Sequence, residues 1–308
     1  MPPTPIILDT DIGTDVDDAI ALGLLLASPE IDLRAVTVVS GNVALRARIA
    51  RKILSLGGCA DIPVYTGRAE PSGENRNFLW LGHEGKGIVG DGETLPTAPN
   101  GAVEILAAVN ASDPVEIVAI GPLTNVAAAL TRAPALAAAS PRLTLMGGAL
   151  GISDDPTTPP VEYNLGSDAE ASVTALRAGL PTTVVPLDVT WQVFFRTEHL
   201  ARLRTSRSPV VQVLCDAMEI WWPVHRDLFA GKRTYGADVV CFLHDPLALS
   251  LLIDPSFVTV SPMHLEPEIA DGVFRLRASD DGREFLVVTE VESDAFVEFV
   301  VERLMTLA

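Results

Sequence analysis

The sequence predicts an α/β fold: a mostly parallel central sheet with helices on both faces, and a small antiparallel addition at the C-terminus. Three observations carry that reading. Short apolar runs rich in β-branched residues alternate with longer Ala- and Leu-rich stretches through the first two-thirds of the chain, the pattern of repeated βαβ units. Polar segments follow the apolar runs, where an open parallel sheet places its ligands. Near the C-terminus the rhythm changes to short strands separated by turn residues.

The elements follow in order. Ile6-Ile7-Leu8 predicts the first strand, and the apolar stretch from Asp17 to Ala27 a helix. Leu33 to Val39 predicts the second strand and Val43 to Leu56 the second helix. Strands are expected over Val115 to Ile120 and Leu143 to Met146, with an Ala-rich helix from Asn125 to Ala139 between them. Asp168 to Ala178 predicts a helix and Thr182 to Val185 a strand. The C-terminal strands are Val258 to His264, Val273 to Arg277 and Phe285 to Val291, with Asp280-Asp281-Gly282 as a turn. A final helix runs from Ala295 to Leu307. Arg68 to Asn100 is rich in Gly, Pro and polar residues and too long for a plain connection, and segments of that kind are usually functional or mobile.

With 308 residues and 48% hydrophobic composition, the chain can bury a large core, and residues 1–308 read as one domain. Lys plus Arg number 22 against 40 Asp plus Glu, a formal net charge of −18. That surface repels nucleic-acid phosphates and anionic membranes, which removes both as expected partners. No apolar run is long enough to span a bilayer, and the N-terminus carries no basic-then-apolar signal pattern. Cys59, Cys215 and Cys241 are far apart, without CxxC or Cys/His metal spacing. Free thiols in a reducing cytoplasm are expected.

The most informative segment is Ile6-Ile7-Leu8-Asp9-Thr10-Asp11-Ile12-Gly13-Thr14-Asp15-Val16-Asp17-Asp18-Ala19, with five aspartates between a strand and an apolar helix. Carboxylates packed this closely repel, and a multivalent cation relieves the repulsion. An all-oxygen donor set selects a hard ion, Ca²⁺ or Mg²⁺, over zinc. Asp15 and Asp17 also suit the start of a helix as caps and dipole partners. A strand leading into Asp-x-Asp is shared with Mg²⁺-dependent phosphatases, in which Asp9 would be the nucleophile. Here Gly13 occupies the position that those enzymes fill with Thr or Val.

The segment resembles the signature of the inosine–uridine-preferring nucleoside hydrolases, Asp-x-Asp-x-Gly followed by Asp-Asp-Ala. Four further segments match that family in order: Ser40-Gly41-Asn42, Gly121-Pro122-Leu123-Thr124-Asn125, Glu162-Tyr163-Asn164 and Phe242-Leu243-His244-Asp245-Pro246. The resemblance spans nearly the whole chain. It implies a Rossmann-like nucleoside hydrolase fold, a homodimer or homotetramer, and hydrolysis of ribonucleosides to ribose and free base with a calcium-bound water. The ligands it implies are Asp11, Asp17, Asp18, Asp245 and the carbonyl of Ile120, with Asn42, Glu162 and Asn164 on the ribose hydroxyls. Asp11 is the implied proton acceptor and His244 the acid at the base, its ring suited to donate a proton near neutral pH. His83, within Leu81-Gly82-His83-Glu84-Gly85, matches a family histidine that contacts the nucleoside.

Two departures stand out. Two additional residues separate Gly13 from Asp17-Asp18, leaving open whether Asp15 also approaches the metal. The family's asparagine before its Glu-Phe-Asn is absent from Gly151 to Pro160, where Asp154 or Asp155 is the candidate replacement. The aromatic stretch Trp221 to Phe229 offers Trp222 and His225 as stacking partner or acid. Each match also has a plainer reading: Asn42 as a turn residue, Glu162 as a surface charge, His83 as an exposed loop histidine, His244 as a core histidine. Besides the hydrolase, the residues admit the phosphatase using Asp9 and a nucleoside-binding protein without turnover.

Overall fold

The computed structural model describes residues 2–73, 79–90, 93, 95–110, 112, 114–139, 141–228 and 236–308. Phe229 and parts of the long segment after Arg68 therefore lie outside the described residues. The chain runs β1 (Thr4–Thr10), α1 (Asp17–Leu26), β2 (Ile31–Val38), α2 (Val43–Leu56), β3 (Val64–Thr66), α3 (Ala102–Ala107), β4 (Glu116–Ala119), α4 (Thr124–Arg132), α5 (Ala135–Ala139) and β5 (Leu143–Met146). It continues through α6 (Tyr163–Ser167), α7 (Ala169–Arg177), β6 (Thr182–Val185), α8 (Leu187–Thr190), β7 (Phe194–Arg196), α9 (Thr197–Leu203), α10 (Pro209–Leu228), β8 (Val239–Phe242) and α11 (His244–Ile253). The last elements are β9 (Val258–Ala270), β10 (Val273–Ala278), β11 (Arg283–Val291) and α12 (Ser293–Met305).

Nine strands form one sheet in the order β10-β9-β11-β6-β5-β4-β1-β2-β3, and β7 pairs with β8 in a separate antiparallel ribbon. All ladders from β11 through β6, β5, β4, β1 and β2 to β3 are parallel. Alternation along each strand feeds two cores, one per face. On β1, Ile6 and Leu8 join the side packed by α1, α2, α10, α11 and α12, whereas Ile7 joins the side packed by α3, α4 and α7. The chain leaves β1 toward β2 and β3, then returns to β1's other flank with β4. That reversal is the switch point at which open sheets bind ligands beyond their strand ends. Among the described residues, no helix is long and apolar enough to cross a membrane.

The expected elements recur with three physical adjustments. The helix expected from Asn125 to Ala139 divides into α4 and α5 at Ala133-Pro134, since proline lacks the amide that continues a helix. The C-terminal strands use two turns, the expected Asp280-Asp281-Gly282 and one more. The tight hairpin is Asp271-Gly272, both with positive φ (53° and 76°), as a two-residue turn requires. Asp280-Asp281-Gly282 instead brings β11 back beside β9, which lies between β10 and β11. Finally, the antiparallel strands extend the main sheet, because β11 also pairs in parallel with β6.

Candidate active site

Asp9 and Thr10 end β1, Asp11 follows directly, and Asp17 and Asp18 open α1, where the helix dipole favours negative charge. Asp245 opens α11, and its backbone amide donates to Asp17 Oδ2 at 3.3 Å. Carboxylate oxygens of Asp17, Asp18 and Asp245 lie within 4.8 Å of one another, and all three side chains are buried. Burial, then repulsion among neighbouring aspartates, pushes their carboxyls well above the usual range. The Thr10 hydroxyl donates to Asp18. Asp11 stands outside this trio; burial raises it, and the Arg46 guanidinium 3.6 Å away opposes the shift. Asp15, at the cavity edge, is pushed to about 7 by burial and accepts the Val16 amide.

Two segments complete the polar end. Glu162 caps α6, its carboxylate accepting amides from Asn164, Leu165 and Gly148. Asn164 donates its side-chain amide to the carbonyl of Ile120 at 3.0 Å and to that of Met146 at 3.2 Å. Its Nδ2 is thus occupied, whereas Oδ1 accepts no hydrogen bond among the described residues. Gly121 packs so tightly on Asp11 that a Cβ there would sit 2.8 Å from the Asp11 amide nitrogen. The glycine is a steric requirement.

The opposite chemistry lines the rest of the cavity. His244 is partly buried, with Nδ1 2.8 Å from the Thr190 hydroxyl and its ring stacked near Phe242 and Trp191. Burial, with a smaller contribution from His225, holds its imidazole down at about 3. Burial thus works against the titration near neutrality expected of a free ring. A neutral imidazole can still polarise a leaving group through its remaining N–H. The cavity of about 320 Å³ is bounded by Asp11, Asp15, Asp17, Asp18, Ile120, Glu162, Asn164, His244 and Asp245, with Trp191, Trp221 and Tyr163. It lies at the lower end of ligand-pocket volumes, roughly 300–1,000 Å³.

Other candidates fall elsewhere. Asn42 is exposed and caps α2, its Oδ1 accepting the Leu45 amide at 3.1 Å, because the turn at Ser40-Gly41 aims it along the helix start. His83 donates Nε2–H to the Thr14 carbonyl at 2.8 Å, in a side cleft shared with Trp221. Trp222 and His225 do not line the main cavity. On α10 it is Trp221 that faces it, and successive helical residues point about 100° apart. His225 is buried edge-on to Phe242, its imidazole held at about 4 by burial. Asp155 accepts the Thr157 amide and Asp154 borders an outer cleft, so neither supplies the missing asparagine's contact here. Asp9 is fully buried outside the cavity, with Oδ1 taking bonds from Thr37 and Asn125. A phosphate cannot reach it, which removes the phosphatase reading.

Sequence reasoning missed Trp191, Thr190 and Arg46, and quoted Trp221 and Tyr163 only within their segments without giving them a role. Thr190 and Trp191 follow strand β6, so the rule that ligands gather beyond strand ends could have found them. Arg46 gave no signal, because a lone arginine in a helix ordinarily faces solvent.

Comparison with known proteins shows the family. The profile of the inosine-uridine preferring nucleoside hydrolases matches residues 6–298. The chain is 33% identical to a pyrimidine-specific ribonucleoside hydrolase RihA of Photobacterium profundum, covering 97% of this chain and 98% of the relative. It is 35% identical to the Escherichia coli O1:K1 protein of that name, over 83% and 81% of the two chains. Among solved structures, a purine-preferring ribonucleoside hydrolase from Gardnerella vaginalis superposes with a TM-score of 0.81 at 26% identity, covering 99% of each chain. The chain belongs to the inosine-uridine preferring nucleoside hydrolase family, hydrolases that act on the N-glycosyl bonds of ribonucleosides.

Proposed function

We propose that this chain hydrolyses ribonucleosides to ribose and free nucleobase in the cavity at the end of β1, with calcium as its cation. The observation that carries the reading is the convergence of Asp11, Asp17, Asp18 and Asp245 with Glu162, Asn164 and His244 around one cavity. The donor set fits a hard cation: buried carboxylates within ligand reach of one another, with oxygen as the common donor. Asp11, Asp17, Asp18, Asp245 and the Ile120 carbonyl are the proposed ligands. What calcium supplies when bound is Lewis acidity toward water and ribose oxygens.

The chain's own groups do the rest. Glu162 and Asn164 Oδ1 hold the ribose hydroxyls, and Asn164 Nδ2 fixes the Ile120 carbonyl. Asn42 is left out of the ribose contacts, since it does not line this cavity and its Oδ1 caps α2. As the C1′–N bond breaks, its electron pair leaves with the base and C1′ gains oxocarbenium character. The water oxygen bonds to C1′ and Asp11 takes its proton. His244, oriented by Thr190, donates its N–H toward the departing base. Trp191 and Trp221 flank the base and exclude bulk water. The three free cysteines fit a cytoplasmic setting, and a homodimer or homotetramer follows from the family resemblance.

The named relatives point to different bases, pyrimidine-specific and purine-preferring, so the test is a panel. Purified protein is incubated with inosine, uridine, cytidine, adenosine and guanosine, and free base is measured by chromatography. Base release should disappear after exhaustive chelation and return with calcium better than with zinc. Full activity in protein that elemental analysis shows to be metal-free defeats the proposal.

A further inference from the structure

Arg46, on the second turn of α2, is fully buried. A buried guanidinium is costly unless its donors are matched, and the matches here share a pattern. Nε donates to the Ser40 carbonyl at 2.7 Å, Nη1 to the Ile12 carbonyl at 3.0 Å, and Nη2 to the Thr14 hydroxyl at 3.3 Å, with Asp11 Oδ2 3.6 Å from Nη2. The Trp80 ring covers the guanidinium at 5.5 Å. Every polar partner belongs either to the aspartate loop or to the turn after β2.

That loop is the stretch where this chain carries two more residues than the family signature. A longer loop has more ways to misplace Asp11, the one proposed carboxylate ligand outside the Asp17, Asp18 and Asp245 trio. Gly13, at φ 122°, turns the loop sharply, and Arg46 grips both sides of that turn through Ile12 and Thr14. Its third hold, on Ser40, joins the loop to a turn whose own backbone is left-handed, with Ser40 at φ 68° and Gly41 at φ 63°. Ser40 is kept there by donating its amide to the Arg68 carbonyl at 2.7 Å. The guanidinium therefore spans two loops and ends against one carboxylate.

We propose that Arg46 is a positioning residue for Asp11, setting where its carboxylate meets the water and the cation. This rests on the reading of Asp11 as proton acceptor and ligand. The function needs a planar fork with three directions, and lysine keeps the charge but cannot reproduce the fork.

The test is a double-mutant cycle on the full chain with Arg46→Lys, Asp11→Asn and the double variant. Arg46→Met repeats it where that protein folds. kcat is read at saturating nucleoside and calcium, well below each variant's melting temperature, and calcium affinity is read separately by titration calorimetry. A misplaced catalytic group of this kind costs on the order of tenfold to a hundredfold. Arg46→Lys should thus lower kcat at least about tenfold beside Asp11, yet change either readout by less than about twofold once Asp11 is Asn. Calorimetry keeps the cycle readable where Asp11→Asn turns over too slowly to measure. Equal losses in both backgrounds, or a lowered melting temperature with kcat intact, overturn the proposal. Wild-type kcat in Asp11→Asn alone instead overturns the reading of Asp11.

Discussion

Replacing Gly121 by Ala tests the site at its tightest point. An added Cβ would stand 2.8 Å from the Asp11 amide nitrogen, 2.9 Å from Asp11 Oδ1 and 3.1 Å from Val39 Cγ1. Ordinary carbon contacts need about 3.5 Å or more, so the end of β4 and the aspartate loop must separate by roughly half an ångström. Neither side can yield by rotating a flexible tip, because one neighbour is backbone. Overpacking of this kind costs about 1–3 kcal/mol of stability, a fall of only a few degrees in melting temperature for a chain this long. Activity should suffer more, since a displacement near 1 Å costs around a hundredfold and half of that about tenfold. The assay is kcat by free-base chromatography at 25 °C, beside a thermal melt of the same preparation. A Gly121→Ala protein with wild-type kcat would show that the position of Asp11 relative to Ile120 and Gly121 does not govern the chemistry.

Two other outcomes follow from the same geometry. Discrimination against 2′-deoxynucleosides should be strong, because a missing hydroxyl leaves buried polar groups unpaired, a loss that reaches roughly 10⁴-fold in sites built to bind a hydroxyl. Comparable kcat/KM for inosine and 2′-deoxyinosine contradicts the assignment of Glu162 and Asn164. His244→Ala should lower kcat for natural nucleosides by about a hundredfold or more while largely sparing p-nitrophenyl riboside, whose leaving group departs without help. Equal losses on both substrates would move the leaving-group role away from His244.

Much of the fold was legible because it rests on local patterns. The strand from Leu143 to Met146, the helix from Val43 to Leu56 and the strand from Thr182 to Val185 lie where periodicity put them. The sheet order was less accessible, since pairing depends on contacts distant in sequence. The turn at Asp280-Asp281-Gly282 was legible as well, whereas the Asp271-Gly272 hairpin went unread because β9 runs on to Ala270, beyond the expected His264. In the site, the aspartates and Glu162-Tyr163-Asn164 could be read because their chemistry is concentrated in short segments. Which of two adjacent tryptophans faces the cavity could not, since that depends on how α10 is rotated against β8. Arg46 was hidden for a related reason: its partners come from three places along the chain.

The site's crowding is also a load on the fold, and the architecture distributes it. Asp11, Asp17, Asp18 and Asp245 are all buried, and unpaired buried charge is strongly unfavourable. Three devices offset part of this. Asp17, Asp18 and Asp245 sit in the first turns of α1 and α11, where helix dipoles contribute up to about 1 kcal/mol each at ordinary exposure. Hydrogen bonds from Thr10 and from the Asp245 amide engage Asp18 and Asp17. Arg46 faces Asp11. The trio has hydrogen bonds and dipoles but no cationic side chain in ion-pair contact among the described residues, which is the imbalance a bound cation corrects. The groups proposed to meet substrate are restrained differently: Glu162 by three backbone amides, Asn164 by two carbonyls, His244 by Thr190. Each is fixed on one side and open on the other. Positioning is thus built into the scaffold before a ligand arrives, and binding need not supply the energy to create it.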